Sequence, residues 1–333
     1  MTINLAIRTS VRDYLTSNLS FLAGYSINNT SGRPARVAVK PISGGGGKIG
    51  KGRRESRYCQ LHNQIRPSLQ RKQAFYSFRL QARFFEYSAL LHVPTHFNSG
   101  TTSIPVQIPE AIHHDDQAHI LIITDLGQNS RTLKQCLVED AKSLDVQQVG
   151  KALGEWLAEL HIWGRTEAAA PLRRVLSQNN DLTDGPIRYA CSRLLPEDDP
   201  LWKAVRAHID DLRDLDKKGD SNFVVHGDFI TGNVMVVPKV SQNGVKTTKL
   251  AVIDWEAANC RNFTWNDIGQ MCAEMYFPTF FGHAGNLGTE MVSAFLKAYI
   301  SRRELSEEDA GWLLFGLAYI YLYGLGLLGG ETR

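Results

Sequence analysis

Phe223-Val224-Val225-His226-Gly227-Asp228, then Asn233, then Ile253-Asp254-Trp255-Glu256 define the stretch 223–256, on which the reading of this chain turns. Asp228 follows a short apolar run, Phe223–Val225. Asn233 opens a second run, Val234-Met235-Val236-Val237, and a third, Leu250-Ala251-Val252-Ile253, ends at Asp254. The second and third runs flank a polar segment containing Asn243-Gly244, so they are predicted to form a β-hairpin. In a hairpin the start of the first strand lies beside the end of the second. Asn233 and Asp254 are therefore expected to meet at the open end, with Asp228 projecting into the same space from the loop before it.

One carboxylate and one amide make a hard, oxygen-rich donor pair of the kind that suits Mg²⁺, an ion that keeps several of its waters. A separate carboxylate nearby can take the proton of an attacking hydroxyl. The bland alternative is a hairpin with solvated polar ends. The pattern His-Gly-Asp-x-x-x-x-Asn followed by Asp-Trp-Glu resembles the aminoglycoside phosphotransferase and choline kinase superfamily, small-molecule kinases with a protein-kinase-like fold. The resemblance implies that Asp228 is the catalytic base and that Asn233 and Asp254 are the Mg²⁺ ligands.

The same resemblance extends towards the N-terminus. Arg36-Val37-Ala38-Val39-Lys40 is a β-branched strand ending in a lysine, similar to the Val-Ala-Ile-Lys strand of protein kinases. Such a lysine contacts the α- and β-phosphates and is positioned by a glutamate on a following helix. Residues 74–92 carry Phe75, Phe78, Ala82, Phe85 and Ala89 at helical spacing. Glu86 sits on that helix, and Glu55 is the only other acid between Asp13 and Glu110, so Lys40 is the expected partner of Glu86. Further upstream, Phe21–Asn28 is expected to be a strand running into a polar turn. The family places a phosphate-covering loop there, which implies nucleotide contacts at Gly24, Ser26 and Asn28; a surface turn is the alternative. Ala118–Thr124 is expected as a buried strand leading to an inter-lobe hinge at Asp125-Leu126-Gly127. By the resemblance, Thr124, Asp125 and Leu126 offer backbone groups to the adenine of ATP. Ser43–Arg54 is rich in glycine and lysine but lacks a Gly-Lys-Ser/Thr ending, so it is read as a flexible basic insertion, with a mobile flap over the nucleotide as the alternative.

Beyond the hinge, Asp145–Gly164 is predicted as a helix with an apolar stripe of Val149, Leu153, Trp156, Leu157 and Leu160, stopped by Gly164. His161 on it is read as structural. Asp267, in Asp267-Ile268-Gly269, matches a family position that supports the active site and equally suits a helix cap. Phe263, Trp265, Glu256 and Tyr276 either line an acceptor pocket or join the core.

Charge is uneven along the chain. Residues 1–125 hold fifteen Lys/Arg against seven Asp/Glu, whereas residues 126–333 hold twenty-two against twenty-seven. A basic lobe suits a polyanionic nucleotide, and an acidic lobe suits a metal and a cationic or polyhydroxyl substrate. No recognition motif accompanies the basic half, so no nucleic-acid partner is expected. The five cysteines are scattered, with no Cys-x-x-Cys pair, which argues against a zinc site or a disulfide framework. No secretory signal is recognised, so a cytoplasmic location is the expectation. Trp312–Gly330 has no charge and approaches transmembrane length. Its glycines, and the apolar helices that end the family's C-lobe, favour a buried helix, and no membrane partner is expected.

The expected fold is α+β: a bilobal protein-kinase-like fold with a small antiparallel-sheet N-lobe, 1–125, and a larger, mainly helical C-lobe, 126–333. The expected function is ATP- and Mg²⁺-dependent transfer of the γ-phosphate to a hydroxyl of a small molecule of aminoglycoside, amino alcohol or sugar type. A non-catalytic nucleotide-binding scaffold is the alternative of another class. The lack of His-Arg-Asp, Asp-Phe-Gly and Ala-Pro-Glu signatures argues against a protein kinase. If Lys40 and Glu86 act as one unit, Lys40→Ala and Glu86→Ala should each impair ATP use to a similar degree, and the double variant should be little worse than either. Additive losses in kcat/KM across this double-mutant cycle would show that they are not partners.

Overall fold

In the computed structural model, which describes residues 83–94, 104–116, 120–127, 129–179, 198, 203, 207, 223–240, 246–260 and 264–304, two sequence periods resolve into two kinds of element. Three-and-four spacing makes residues 83–92 helical (α1), and this helix buries Phe85, Glu86, Ser88, Ala89 and Leu90. Short strands follow: β1 (Val106–Gln107), β2 (Ala111–Asp115), β3 (Ile120–Ile123) and β4 (Arg131–Thr132). Helix α2 (Leu133–Glu139) starts with a reciprocal cap. The Thr132 hydroxyl accepts from the Gln135 amide, and the Gln135 side chain accepts from the Thr132 amide. Asp145 caps helix α3 (Val146–Gly164) by accepting from the Gln148 amide at 3.0 Å. After α4 (Ala170–Leu176) come β5 (Val234–Val240), β6 (Lys246–Val252), α5 (Thr264–Phe280) and α6 (Leu287–Arg302).

The described residues fall into two compact units. One holds Arg83 and Ala111–Asp125, and the other Phe84–Glu110 and everything described from Leu126 onward. In the first, β2 and β3 pair antiparallel. In the second, four strands run in the order β1-β6-β5-β4, with β6–β5–β4 antiparallel and β1 added parallel to β6. This mixture of helices and small sheets is the α+β class read from the sequence. Gly24, Ser26, Asn28 and Lys40, the glycine-rich insertion, the Asn243-Gly244 turn and the stretch 312–330 lie outside the described residues. Among the described residues no helix is long and apolar enough to cross a membrane.

Helix α3 is the spine of the second unit. Its apolar stripe is buried as predicted, with Val149, Leu153, Trp156, Leu157 and Leu160 each 1% exposed or less. Trp156 stacks on Phe229 at a centroid distance of 5.8 Å and meets Trp255 edge-on at 6.1 Å, so the spine touches both ends of the functional stretch. Helix α6 lies against α3 at backbone contact. A Cβ on Gly150 would run into the Met291 carbonyl oxygen, and one on Gly154 into that of Phe295. Arg302 reaches back from α6 to Glu159 at 3.1 Å.

Gly164 ends α3 where expected, and it does so in ordinary helical geometry, with Arg165 following at φ −87°. Its small size is needed because a Cβ there would lie 2.5 Å from the Val224 amide nitrogen, in the segment that leads to the Asp228 loop. Close approach explains Gly154 in the same way, and a substitution there has a definite sign. Gly154→Ala gains about 1 kcal/mol of helix propensity, yet must push α6 away, which costs about 1–3 kcal/mol. A fall in Tm is expected in thermal melts, and an equal or higher Tm would contradict this packing.

Candidate active site

The hairpin forms in the expected register. Val234 pairs with Val252, and the ladder runs on to Val240 and Lys246. Below the first pair, the Ile253 amide donates to the Asn233 carbonyl at 3.0 Å. This places Asn233 beside the residue preceding Asp254, so the two meet at the open end. Asn233 is also the last residue of a short 3₁₀ turn, Thr231–Asn233, that leads out of the Asp228 loop.

That loop is held by its neighbours at several points. Gly227 has φ +81°, and a Cβ there would run into the Ala257 carbonyl oxygen, so only glycine fits both the conformation and the space. His226 is fully buried, and its two ring nitrogens have opposite roles. Nδ1 accepts from the Asp228 amide at 3.3 Å, leaving Nε2–H to donate to the Ile253 carbonyl at 3.1 Å. Burial pulls the His226 pKa down, with Asp267 and Asp228 opposing, which agrees with a neutral ring. His226 thus ties the Asp228 loop to the strand end that carries Asp254.

Asp267 holds the loop from below. It sits in the first turn of α5, fully buried. Its Oδ2 accepts the His226 amide and its Oδ1 the Gly227 amide, each at 2.8 Å. His161, also fully buried, adds a third contact, Nε2 to Oδ2 at 3.3 Å. Asp267 therefore has the supporting role, and the helix-cap alternative falls away because its oxygens are spent on another segment. Asn266 joins in by donating to the Gly227 carbonyl at 3.3 Å. Asn179 steadies the far side, donating to the Glu256 and Ala258 carbonyls at 3.3 and 2.7 Å. Neither asparagine was singled out in the sequence, since both act through backbone groups remote along the chain.

Within this frame the three polar groups differ. The Asn233 amide donates to the Asp228 carbonyl at 3.0 Å and to its Oδ2 at 2.9 Å, which fixes the carboxyl and leaves the Asn233 side-chain oxygen for another ligand. Burial raises the Asp228 pKa most. His226 and the Asn233 hydrogen bond oppose it, while Asp267 and Glu274 add to it. Asp254 has φ 69° and ψ 62°, the one left-handed non-glycine residue among those described. Such a conformation is uncommon, and at a strand end it turns the side chain out of the ladder. Its Oδ1 is buried with no hydrogen-bond donor. Burial, then Glu256, then Asp228, push its pKa up to about 7. A buried, donorless carboxylate oxygen is the kind of group a cation satisfies. Among the described residues no group of three or more His, Cys, Asp or Glu could hold a metal, so any ion here would rely on the Asp254–Asn233 pair, waters and a ligand.

The other expected site residues are dispersed. Glu86 is 3% exposed on α1 in the second unit. Thr124 and Asp125 follow β3 in the first unit, Asp125 exposed, and Leu126 begins the second. Trp265 is 3% exposed and joins the core, whereas Tyr276 is open at 37%.

Residues 95–307 match the model of the phosphotransferase enzyme family. The chain belongs to this family. It is similar to a 4-hydroxytryptamine kinase of Psilocybe cyanescens, 24% identical over 225 residues, which cover 65% of this chain and 59% of that protein. It is also similar to the phosphotransferase FrzJ of a Cladobotryum species, 20% identical over 185 residues, 52% of this chain and 48% of that one. The chain spans about half the length of these curated relatives, 59% of one and 48% of the other. A solved streptomycin–ATP–APH(2″)-IIa ternary complex covers 73% of this chain and 81% of its own at 16% identity, with a TM-score of 0.32.

The raised Asp254 pKa has a consequence for stability. A carboxyl that titrates higher folded than unfolded favours the fold fully below its ordinary 3.8, and this contribution is lost as pH rises through about 7. Between those values the ligand-free protein should lose Tm with rising pH, and Asp254→Asn should flatten that slope. Parallel Tm–pH curves for the two proteins would contradict the burial of this charge.

Proposed function

We propose that the protein is an ATP- and Mg²⁺-dependent phosphotransferase that moves the γ-phosphate to a hydroxyl of a small molecule. The observation that carries this reading is the pairing at the hairpin mouth: one carboxyl, Asp228, fixed by Asn233, and another, Asp254, with a buried oxygen that lacks a donor. The two groups suit different tasks. Asp228, with its pKa raised by burial, is the proton acceptor for the substrate hydroxyl as the hydroxyl oxygen attacks the terminal phosphorus. Asp254 and the free oxygen of Asn233 are the groups that would hold Mg²⁺. The ion, when bound, would neutralise phosphate charge and align the phosphates. Positioning and charge neutralisation carry most of the rate, and no covalent enzyme intermediate is required. The nucleotide-side roles of Lys40, Glu86, Gly24, Ser26, Asn28 and the 124–126 segment rest on the sequence resemblance.

The acceptor class follows from charge and kinship. Asp228, Asp254 and Glu256 make the site acidic, which favours an acceptor carrying an amine beside its hydroxyl. Family membership, with a hydroxytryptamine kinase among the relatives, supports the same direction.

The test is transfer of label from γ-labelled ATP to a panel of hydroxylated arylalkylamines, amino alcohols, aminoglycosides and sugars. Label on at least one amine-bearing alcohol, and only with Mg²⁺ present, is the expected result. Asp228→Asn should lower kcat about 10²–10⁴-fold at near-normal KM for ATP. Because the Asn233 amide also grips Asp228, Asn233→Ala should lower kcat and raise the Mg²⁺ requirement together. No transfer to any acceptor, or an Asp228→Asn variant as fast as the parent, would sink the proposal.

A further inference from the structure

Glu274 is the second carboxylate that α5 directs at the Asp228 loop. It follows Asp267 on that helix, two turns or about 10 Å further along. Asp267 takes the backbone amides of His226 and Gly227, just before Asp228. Glu274 Oε2 accepts from the hydroxyl of Thr231, just after it, at 2.9 Å. Helix α5 thus grips the loop on both sides of the residue that the loop presents.

Thr231 is fully buried and opens the 3₁₀ turn that ends at Asn233. The turn packs against α2 as well as α5. Among the described residues, the Thr231 hydroxyl makes the one hydrogen bond from this turn to either helix. Glu274 is held in its turn by α2, where Lys134 Nζ donates to both carboxylate oxygens, at 3.3 and 3.1 Å. Lys134 is 56% exposed, so this ion pair adds little stability. Its effect is on geometry, because a carboxylate held at both oxygens keeps Oε2 facing Thr231. The Asn233 carbonyl is tied to the hairpin through the Ile253 amide, but that bond does not set where the turn lies against α5. The reach of the Asn233 amide to Asp228 Oδ2, 2.9 Å, depends on how the two ends of the loop are spaced. Asp267 fixes one end of that spacing and Glu274 the other.

We propose that Glu274 is a positioning residue: through the Thr231 hydroxyl it holds the turn that brings the Asn233 amide to the Asp228 carboxyl, and Lys134 keeps Glu274 in that pose. The kinetic arm of this proposal rests on the phosphotransferase reading; the spectroscopic arm does not.

Thr231→Val keeps the shape of the side chain and removes the hydroxyl, whereas Thr231→Ser keeps the hydroxyl. The Asn233 side-chain amide signals in ¹H–¹⁵N spectra of the full chain, assigned by their loss in Asn233→Ala, report its bond to Asp228. In Thr231→Val these signals should move and exchange faster with solvent, and in Thr231→Ser they should stay parental. In Thr231→Val kcat should fall about tenfold and the Mg²⁺ requirement should rise, the scale of lost support one step behind a working group. A loss of packing alone would lower Tm and leave the Asn233 signals and the Mg²⁺ requirement in place. Glu274→Ala should match Thr231→Val, and the double variant should be little worse than either, since both break the same bond. Glu274→Ala also reads that bond if Thr231→Val does not fold. Parental Asn233 signals in these variants, altered signals with unchanged kcat, or additive losses in the double variant would overturn the proposal. If the parent transfers no phosphate at all, the phosphotransferase reading has failed, and the Asn233 spectra alone decide the role of Glu274.

Discussion

The Asp267 carboxylate, buried at the start of α5 and accepting the backbone amides of His226 and Gly227, is the contact on which the candidate site depends. A buried carboxylate without donors is costly, and one with three donors is a rigid post. Two of its donors are consecutive amides of the very turn that presents Asp228. The turn is therefore fixed to a helix rather than floating as a loop, and the left-handed Gly227 is the conformation that aims both amides downward. His226 carries the constraint sideways to Ile253, so that the loop and the end of β6 move as one piece. Catalytic groups need placement to a fraction of an ångström, and a scaffold of this kind provides it.

The hairpin supplies the other half of the geometry. Its ladder sets Asn233 against Ile253, and the left-handed twist at Asp254 takes the next side chain out of the sheet. The cost is an uncommon backbone conformation and a carboxyl pushed towards neutral titration. Both are unfavourable, and a cation bound at the carboxyl would relieve the second of them. Asn233, by contrast, is already engaged with Asp228, so the Asp228 loop and the hairpin mouth are coupled through a single amide.

Much of this was legible in the sequence because the deciding signals are local. Two apolar runs around a turn fix the register that joins Asn233 to Asp254, and the stripe from Val149 to Leu160 fixes the buried face of α3. What the sequence concealed is contact between distant positions. Gly164 reads as a helix stop, yet it is small because Val224 passes beside it. Val106 and Gln107 are too few to announce a strand, and they pair only because the edge of β6 is there to receive them. Tyr299 looks like any aromatic residue on the buried side of α6. Its partner His161 is 138 positions away, and nothing local marks the bond.

The account stands on the claim that the hairpin mouth is a metal–nucleotide site. Isothermal titration of the full chain with ATP, with and without Mg²⁺, for the parent and for Asp254→Asn, tests it most directly. The parent should bind ATP at least about tenfold more tightly with Mg²⁺, and Asp254→Asn should lose that gain while keeping the weaker, metal-free binding. Equal affinity with and without Mg²⁺ in the parent, or a full Mg²⁺ gain in Asp254→Asn, would contradict the claim.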